Sequence, residues 1–290
     1  MLVVVMATGA VVASAALPAT SQTRWIVFAA RHGATDQPQL YRIQTDGTGL
    51  QKITEGADAA TQPAFAPNGQ QLAFSRLGSG IYKMNLDGSG LKRLTKNGRD
   101  GYPAWSPNGR LIAFNRITGK DWSLFVMNTS GGAVRRLKLA PSAGRPTWTR
   151  DGKSIFIPSG GAMIRVDPRT GRAVKRYRAR LDLSVSQGAT VAPDGSNFAF
   201  IGSRPPNGPE DCGESPCPQF ALYAASAKTG HRIKIANDAG PAGFSPDGKT
   251  VVYVAKFKLV FDVLKTGKKT TLDFGDTPVA QGDAAPAWQP

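Results

Sequence analysis

The chain has 290 residues, with 36 Lys or Arg against 20 Asp or Glu, a formal net charge of +16, and 41% apolar residues, ample for a packed core. It contains only two histidines and two cysteines, which excludes a three-histidine metal site. The basic balance invites a nucleic-acid reading, and the placement of the charges, taken up below, argues against it.

Residues 1–23 carry no charge, and Leu2 to Leu17 is an apolar run ending in small residues, with Ala13-Ser14-Ala15 resembling a signal-peptidase site. No Lys or Arg precedes the run. Spanning a bilayer takes about 20 strongly apolar residues, and Thr8, Gly9, Ser14 and Pro18 interrupt this one. The expectation is therefore a signal peptide over residues 1–19, with an uncleaved anchor as the alternative. Residues 20–290 then form the mature domain outside the cytosol: secreted, periplasmic or wall-associated, with no transmembrane domain after signal removal. No cysteine follows the run, so a lipoprotein anchor is not expected.

After the leader come three short apolar runs starting at Trp25, Leu40 and Leu50. Then a longer unit begins to recur. It is clearest from Tyr102 to Leu137, where Tyr102-Pro103-Ala104-Trp105 is followed by Ser106-Pro107-Asn108-Gly109, then by Leu111-Ile112-Ala113-Phe114, Leu124-Phe125-Val126-Met127 and Val134-Arg135-Arg136-Leu137. The runs are too short for helices, and Pro, Asn and Gly set the reversals between them, which predicts a four-stranded antiparallel meander. An anchor residue followed by Asn-Gly or Asp-Gly marks each copy, at Phe65, Trp105, Trp148, Val191 and Phe244, with a truncated copy at Trp288. Successive anchors are 40, 43, 43, 53 and 44 residues apart, a period that fits one propeller blade per repeat.

The first unit lacks an opening strand, and the C-terminal Pro286-Ala287-Trp288 supplies only that strand. Pairing the two closes an all-β, six-bladed propeller with no open edge at the seam. The repeat resembles the TolB-type beta-propeller repeat, of the WD-like class found in extracytoplasmic bacterial proteins. Trp105-Ser106-Pro107-Asn108-Gly109, Ile112-Ala113-Phe114 and Asp87-Gly88-Ser89-Gly90 with Leu94-Thr95 carry the likeness, which covers residues 24–290. The resemblance implies a binding protein or a gating domain of a peptidase. TolB itself resembles a propeller preceded by a separate alpha/beta domain, and such a domain is not expected within the 23 residues read before Arg24.

With the first strand innermost, the Asn-Gly and Asp-Gly turns and the later Gly turns share one face. The connections of variable length share the other, and variable loops on a rigid support are where binding usually resides. That face is expected to carry a ligand-binding set of Arg31, His32, Arg76, Arg99, Asp100, Tyr102, Arg116, Asp121, Trp122 and Arg145. Aromatic rings and arginines suit a carboxylate or a polar chain through stacking and bidentate hydrogen bonds. Positions three before each anchor, Gln62, Tyr102, Arg145, Gly188, Pro241 and Ala285, are expected at the channel mouth.

Each predicted fourth strand carries basic residues, from Lys52 through Lys92, Arg93, Arg135, Arg136, Lys175, Arg176, Arg232 and Lys234 to Lys268 and Lys269. Cations on an outer edge discourage sheet-to-sheet aggregation, so the field is read as a rim and not a nucleic-acid groove. The densest basic stretch runs from Arg165 to Arg180, making blade four the best place for contact with an anionic envelope polymer. No Gly-x-Ser-x-Gly elbow or phosphate loop occurs, so no catalytic residue, cofactor or resident metal is assigned. The expected partner is a protein or an anionic envelope polymer, bound by a monomer. The alternative is a metal-dependent hydrolase or lyase at the channel mouth, where Asp100 and Asp283 are carboxylates five before an anchor. Cys212 and Cys217, in a proline-rich insertion, are expected to form a local disulfide after export.

Overall fold

The computed structural model describes residues 23–31, 36–138, 144–159, 162–177, 189–203, 220–237, 239–256, 258–272 and 285–290. His32, Gly188, Cys212, Cys217, Asp283 and the proposed leader lie outside these residues. The described residues form six four-stranded antiparallel sheets and no helix. The strands of blade three show why. Asp100–Trp105, Leu111–Thr118, Asp121–Asn128 and Arg135–Arg136 are separated by turns that the sequence marks with Asn-Gly, Thr-Gly and Gly-Gly. At the Asn-Gly and Gly-Gly turns of this blade, and at Asp87-Gly88 of blade two, an Asn or Asp side chain accepts the N–H two residues on. Asn108 Oδ1 takes Arg110 N at 3.1 Å and Asp87 Oδ1 takes Ser89 N at 2.9 Å.

The ring closes as the sequence predicts. Ala287–Trp288 pairs with Trp25–Ala30 in the register Ile26↔Trp288 and Val27↔Ala287, and Gln39–Gln44 and Gln51–Lys52 complete blade one. Gln289 fastens the seam: its N–H donates to Trp25 O at 2.9 Å, its Oε1 accepts Trp25 N at 3.0 Å, and its Nε2 donates to Gly69 O of blade two at 2.9 Å.

Alternation along each strand gives every blade two apolar faces, and six buried clusters fill the six gaps between neighbours. Val27 and Leu40 of blade one meet Phe74 and Met84 of blade two, for example, while Phe28 and Tyr41 face Val252 and Phe261 of blade six. The turns lock on one face. Gly171 adopts φ 74° in blade four, and a Cβ there would stand 2.5 Å from Lys138 N of blade three, so the turn needs both the left-handed backbone and the missing side chain.

Removing residues 286–290 should unfasten both the strand pairing and the edge-to-face packing of Trp288 on Phe261, whose ring centroids lie 5.6 Å apart. Losing a packed tryptophan alone costs about 3 kcal/mol. The truncated chain is expected to melt many degrees lower in a calorimetric scan, and an unchanged transition would show that the seam does not hold the ring.

Candidate functional site

The innermost strands, including Ala60–Phe65, Thr147–Trp148, Thr190–Val191 and Gly243–Phe244, line a central channel of about 520 Å³. These strands have an edge turned to the channel, where a missing N–H costs nothing; Pro63 and Pro103 lie within them, and Pro146 and Pro286 immediately precede Thr147–Trp148 and Ala287–Trp288. At the end nearest the tight turns, Pro67, Pro107, Pro193, Pro246 and Pro290 lie two residues after their anchors, and Arg150 takes the corresponding place in blade four. On the wall, Trp148 Nε1 donates to Ala104 O at 3.0 Å, whereas Trp105 Nε1 and Trp288 Nε1 have no partner among the described residues.

At the other mouth the first strands of blades two and three are bulged. Register shifts between Thr61 and Ala64 and between Gly101 and Ala104 place Gln62 and Tyr102 in the left-handed region, at φ 57° and 55°. Such a backbone costs on the order of 1 kcal/mol or more for a residue with a Cβ and persists where its surroundings dictate it. Here they do. Gln62 Oε1 accepts both Tyr102 N at 2.7 Å and Ser75 Oγ at 2.8 Å, tying blade two to blade three. Residue 101 is a glycine because a Cβ would stand 2.9 Å from that same Gln62 oxygen.

The Tyr102 ring is itself buried, at 4% exposure, and meets the half-buried Trp122 edge to face at 5.8 Å. Arg145 reaches from blade four past blade three, donating from Nη2 to Pro63 O at 2.8 Å. The guanidinium is half-buried in the channel wall, and desolvation pushes it down to about 10, opposed by charge interaction with Tyr102. It is still a cation at neutral pH. No described carboxylate pairs with it. Arg99 and Asp121 are exposed beside this corner: Arg99 O accepts Ile117 N at 3.1 Å, and Ile117 and Thr118 pair with Trp122 and Asp121.

Other members of the expected set turn inward. Asp100 has a fully buried carboxylate held by Arg116, with Nε at 2.5 Å from Oδ1 and Nη2 at 2.9 Å from Oδ2. The hydrogen bond to Asp100 holds the Arg116 guanidinium above its ordinary range, and the same group lies 4.8 Å over the Phe125 ring. Arg76 is buried, donates to Glu55 O at 2.7 Å and lies over Tyr82 and Phe74. Arg31 is exposed on blade one. Among the described residues no group of three or more His, Cys, Asp or Glu could hold a metal ion.

Gln62, expected at the channel mouth but not in the ligand-binding set, is the hydrogen-bonding hub of the corner, and Leu77, absent from both, is 72% exposed on the neighbouring connection. Leu77 left a signal: it stands in Arg76-Leu77-Gly78-Ser79-Gly80, a turn too tight to return an apolar side chain to any core.

The family model of the TolB beta propeller domain matches residues 3–155, more than half of the chain. The chain belongs to that family. No curated protein matches it. Among solved structures it is similar to TolB from Acinetobacter baumannii, with 22% identity, a TM-score of 0.73, and coverage of 92% of this chain and 67% of that one. The putative TolB from Agrobacterium tumefaciens gives 16% identity and a TM-score of 0.60 over 91% of this chain and 93% of that one. A chain of the nidogen/laminin complex gives 10% and 0.64 over 93% and 99%. At these identities the likenesses are ones of fold, and within the family the residues at the mouth must be judged by their own chemistry.

Two substitutions separate scaffold from site. Arg116→Met strands a buried carboxylate and is expected to cost about 3 kcal/mol in urea unfolding, most of it recovered by adding Asp100→Leu. An equal loss in the double variant would contradict the pairing. Arg145→Met removes a desolvated charge and is expected to leave the melting temperature unchanged or higher. A fall beyond about 3 °C, roughly 1 kcal/mol for a chain of this size, would mark Arg145 as structural.

Proposed function

We propose that the chain is an exported, non-enzymatic binding propeller that takes a protein segment or an envelope polymer on its variable-loop face, at the corner formed by Tyr102, Trp122 and Arg145. The observation that carries this reading is Arg145: a partly desolvated cation at the channel mouth, in charge interaction with Tyr102 and with no carboxylate partner among the described residues. A site of this kind suits an acidic side chain or a terminal carboxylate, bound through a charge-assisted fork while an adjoining apolar group packs on Trp122. Leu77 extends the apolar contact, and Arg99 and Asp121 give it a polar rim. Strain accepted at Gln62 and Tyr102 fits a surface arranged in advance of binding. The apolar leader and Ala13-Ser14-Ala15 support export, and with it a Cys212–Cys217 disulfide.

Affinity capture from the native organism's envelope fraction tests the reading, using the intact chain and an Arg99→Ala, Trp122→Ala variant. A species retained by the wild type and lost by a variant with an unchanged melting curve is the expected result. If both retain the same species, this face is not where the partner binds.

A further inference from the structure

The end of the channel nearest the tight turns breaks the repeat. Two residues after the anchor, five blades place a proline on the wall, at Pro67, Pro107, Pro193, Pro246 and Pro290, and blade four places Arg150. A rigid apolar ring is thus interrupted by one guanidinium. Arg150 is exposed, and its side chain has no hydrogen bond or ion pair among the described residues. Its charge interaction reaches Asp194 of the blade-five turn, whose Oδ1 already accepts Ser196 N at 2.9 Å and Ser196 Oγ at 2.7 Å.

Arg24 lines the same end, with Nη1 donating to Gln289 O at 3.3 Å. Blades one and four lie opposite each other in the ring, so Arg24 adds positive field from across the channel and not a second fork beside Arg150. The remaining cation of the wall, Arg145, is bonded to Pro63 O at the far mouth, and no described Asp or Glu lines the channel.

Between the two ends the wall is mainly apolar. Phe65, Trp105 and Trp288 are half-buried, each packed on a cluster between blades and also lining the channel, with Trp148 and Phe244 beside them. At about 520 Å³ the space has the size of a small-molecule site.

We infer that the channel binds a small organic carboxylate, with the charged group on Arg150 and the apolar body among the aromatic and proline walls. A guanidinium fork matches a carboxylate in both geometry and charge, and the wall has no described acidic group to repel it. A bare inorganic anion would exchange its hydration for aromatic and proline surface, which disfavours it. A long polyanion would lay its further charges against that same wall. The site lies at the opposite end of the channel from the Tyr102 corner and does not rest on that reading.

The test titrates 2-naphthoate, and its neutral counterpart 2-naphthamide, into the intact chain in a calorimeter. The wild type is expected to bind naphthoate with a Kd on the order of 1 mM or tighter, and naphthamide about tenfold more weakly. Arg150→Pro installs the residue that five blades already carry at this place, so the fold is expected to hold; the variant should bind naphthoate about tenfold more weakly. Melting curves check the fold, and Arg150→Gln replaces this variant if the proline lowers the transition. Two controls locate the probe. Arg110→Gln removes an exposed charge from the blade-three turn of the same face, and Arg99→Ala, Trp122→Ala alters the Tyr102 corner. Each control is expected to change naphthoate affinity less than about threefold. No binding by the wild type, equal affinity for the amide, a folded Arg150 variant that binds as the wild type does, or equal weakening in either control would each overturn the inference.

Discussion

The structure depends on apolar contact between neighbouring blades. No single blade can bury both faces of its sheet, so each side of every blade is completed by the next, and six clusters close on themselves around the axis. Polar contacts then set orientation. Gln62 ties Tyr102 to blade two, Arg135 ties blade three to the blade-four turn, and Lys269 reaches Ile235 O of blade five at 2.7 Å. These bonds satisfy carbonyls that would otherwise lie between sheets, and they account for many rim cations without invoking a ligand.

Much of the fold is legible in the sequence because its signals are local. Asn-Gly or Asp-Gly after an anchor fixes a turn, two-residue alternation fixes the faces, and the missing and surplus strands at the two ends imply closure. Less of the site is legible. Asp100 and Arg116 look like free loop charges, yet they stand opposite one another on paired strands, Asp100↔Arg116, and the strand twist turns both inward. Arg76 is placed by its partner Glu55 O, a backbone group that no side-chain pattern marks. The bulges at Gln62 and Tyr102 are also hidden, since the strands of blades two and three alternate much as unbulged ones would.

The two candidate sites use arginine in different ways. At the channel mouth a single guanidinium, partly withdrawn from water and in charge interaction with Tyr102, is suited to reading one group in one geometry. At the opposite end Arg150, set in a ring of prolines and open to water, is suited to holding the charged end of a ligand whose body lies among aromatic rings. The propeller permits both because its blades hold these regions in a fixed relation while contributing different residues to each.

The fastening of the ring by Gln289 also bears on how the chain folds. Its bond to Trp25 joins positions 264 residues apart, so the contact cannot form until residues 25–289 are all available. Until then blade one presents an unpaired edge at Trp25–Ala30, the most buried and adhesive strand it has, with five of six residues destined for the interior. Blades two to six can assemble by neighbour contacts as they appear, whereas blade one waits for Ala287–Trp288 and Gln289. Slow maturation and a need for protection of that edge during synthesis follow from the topology itself.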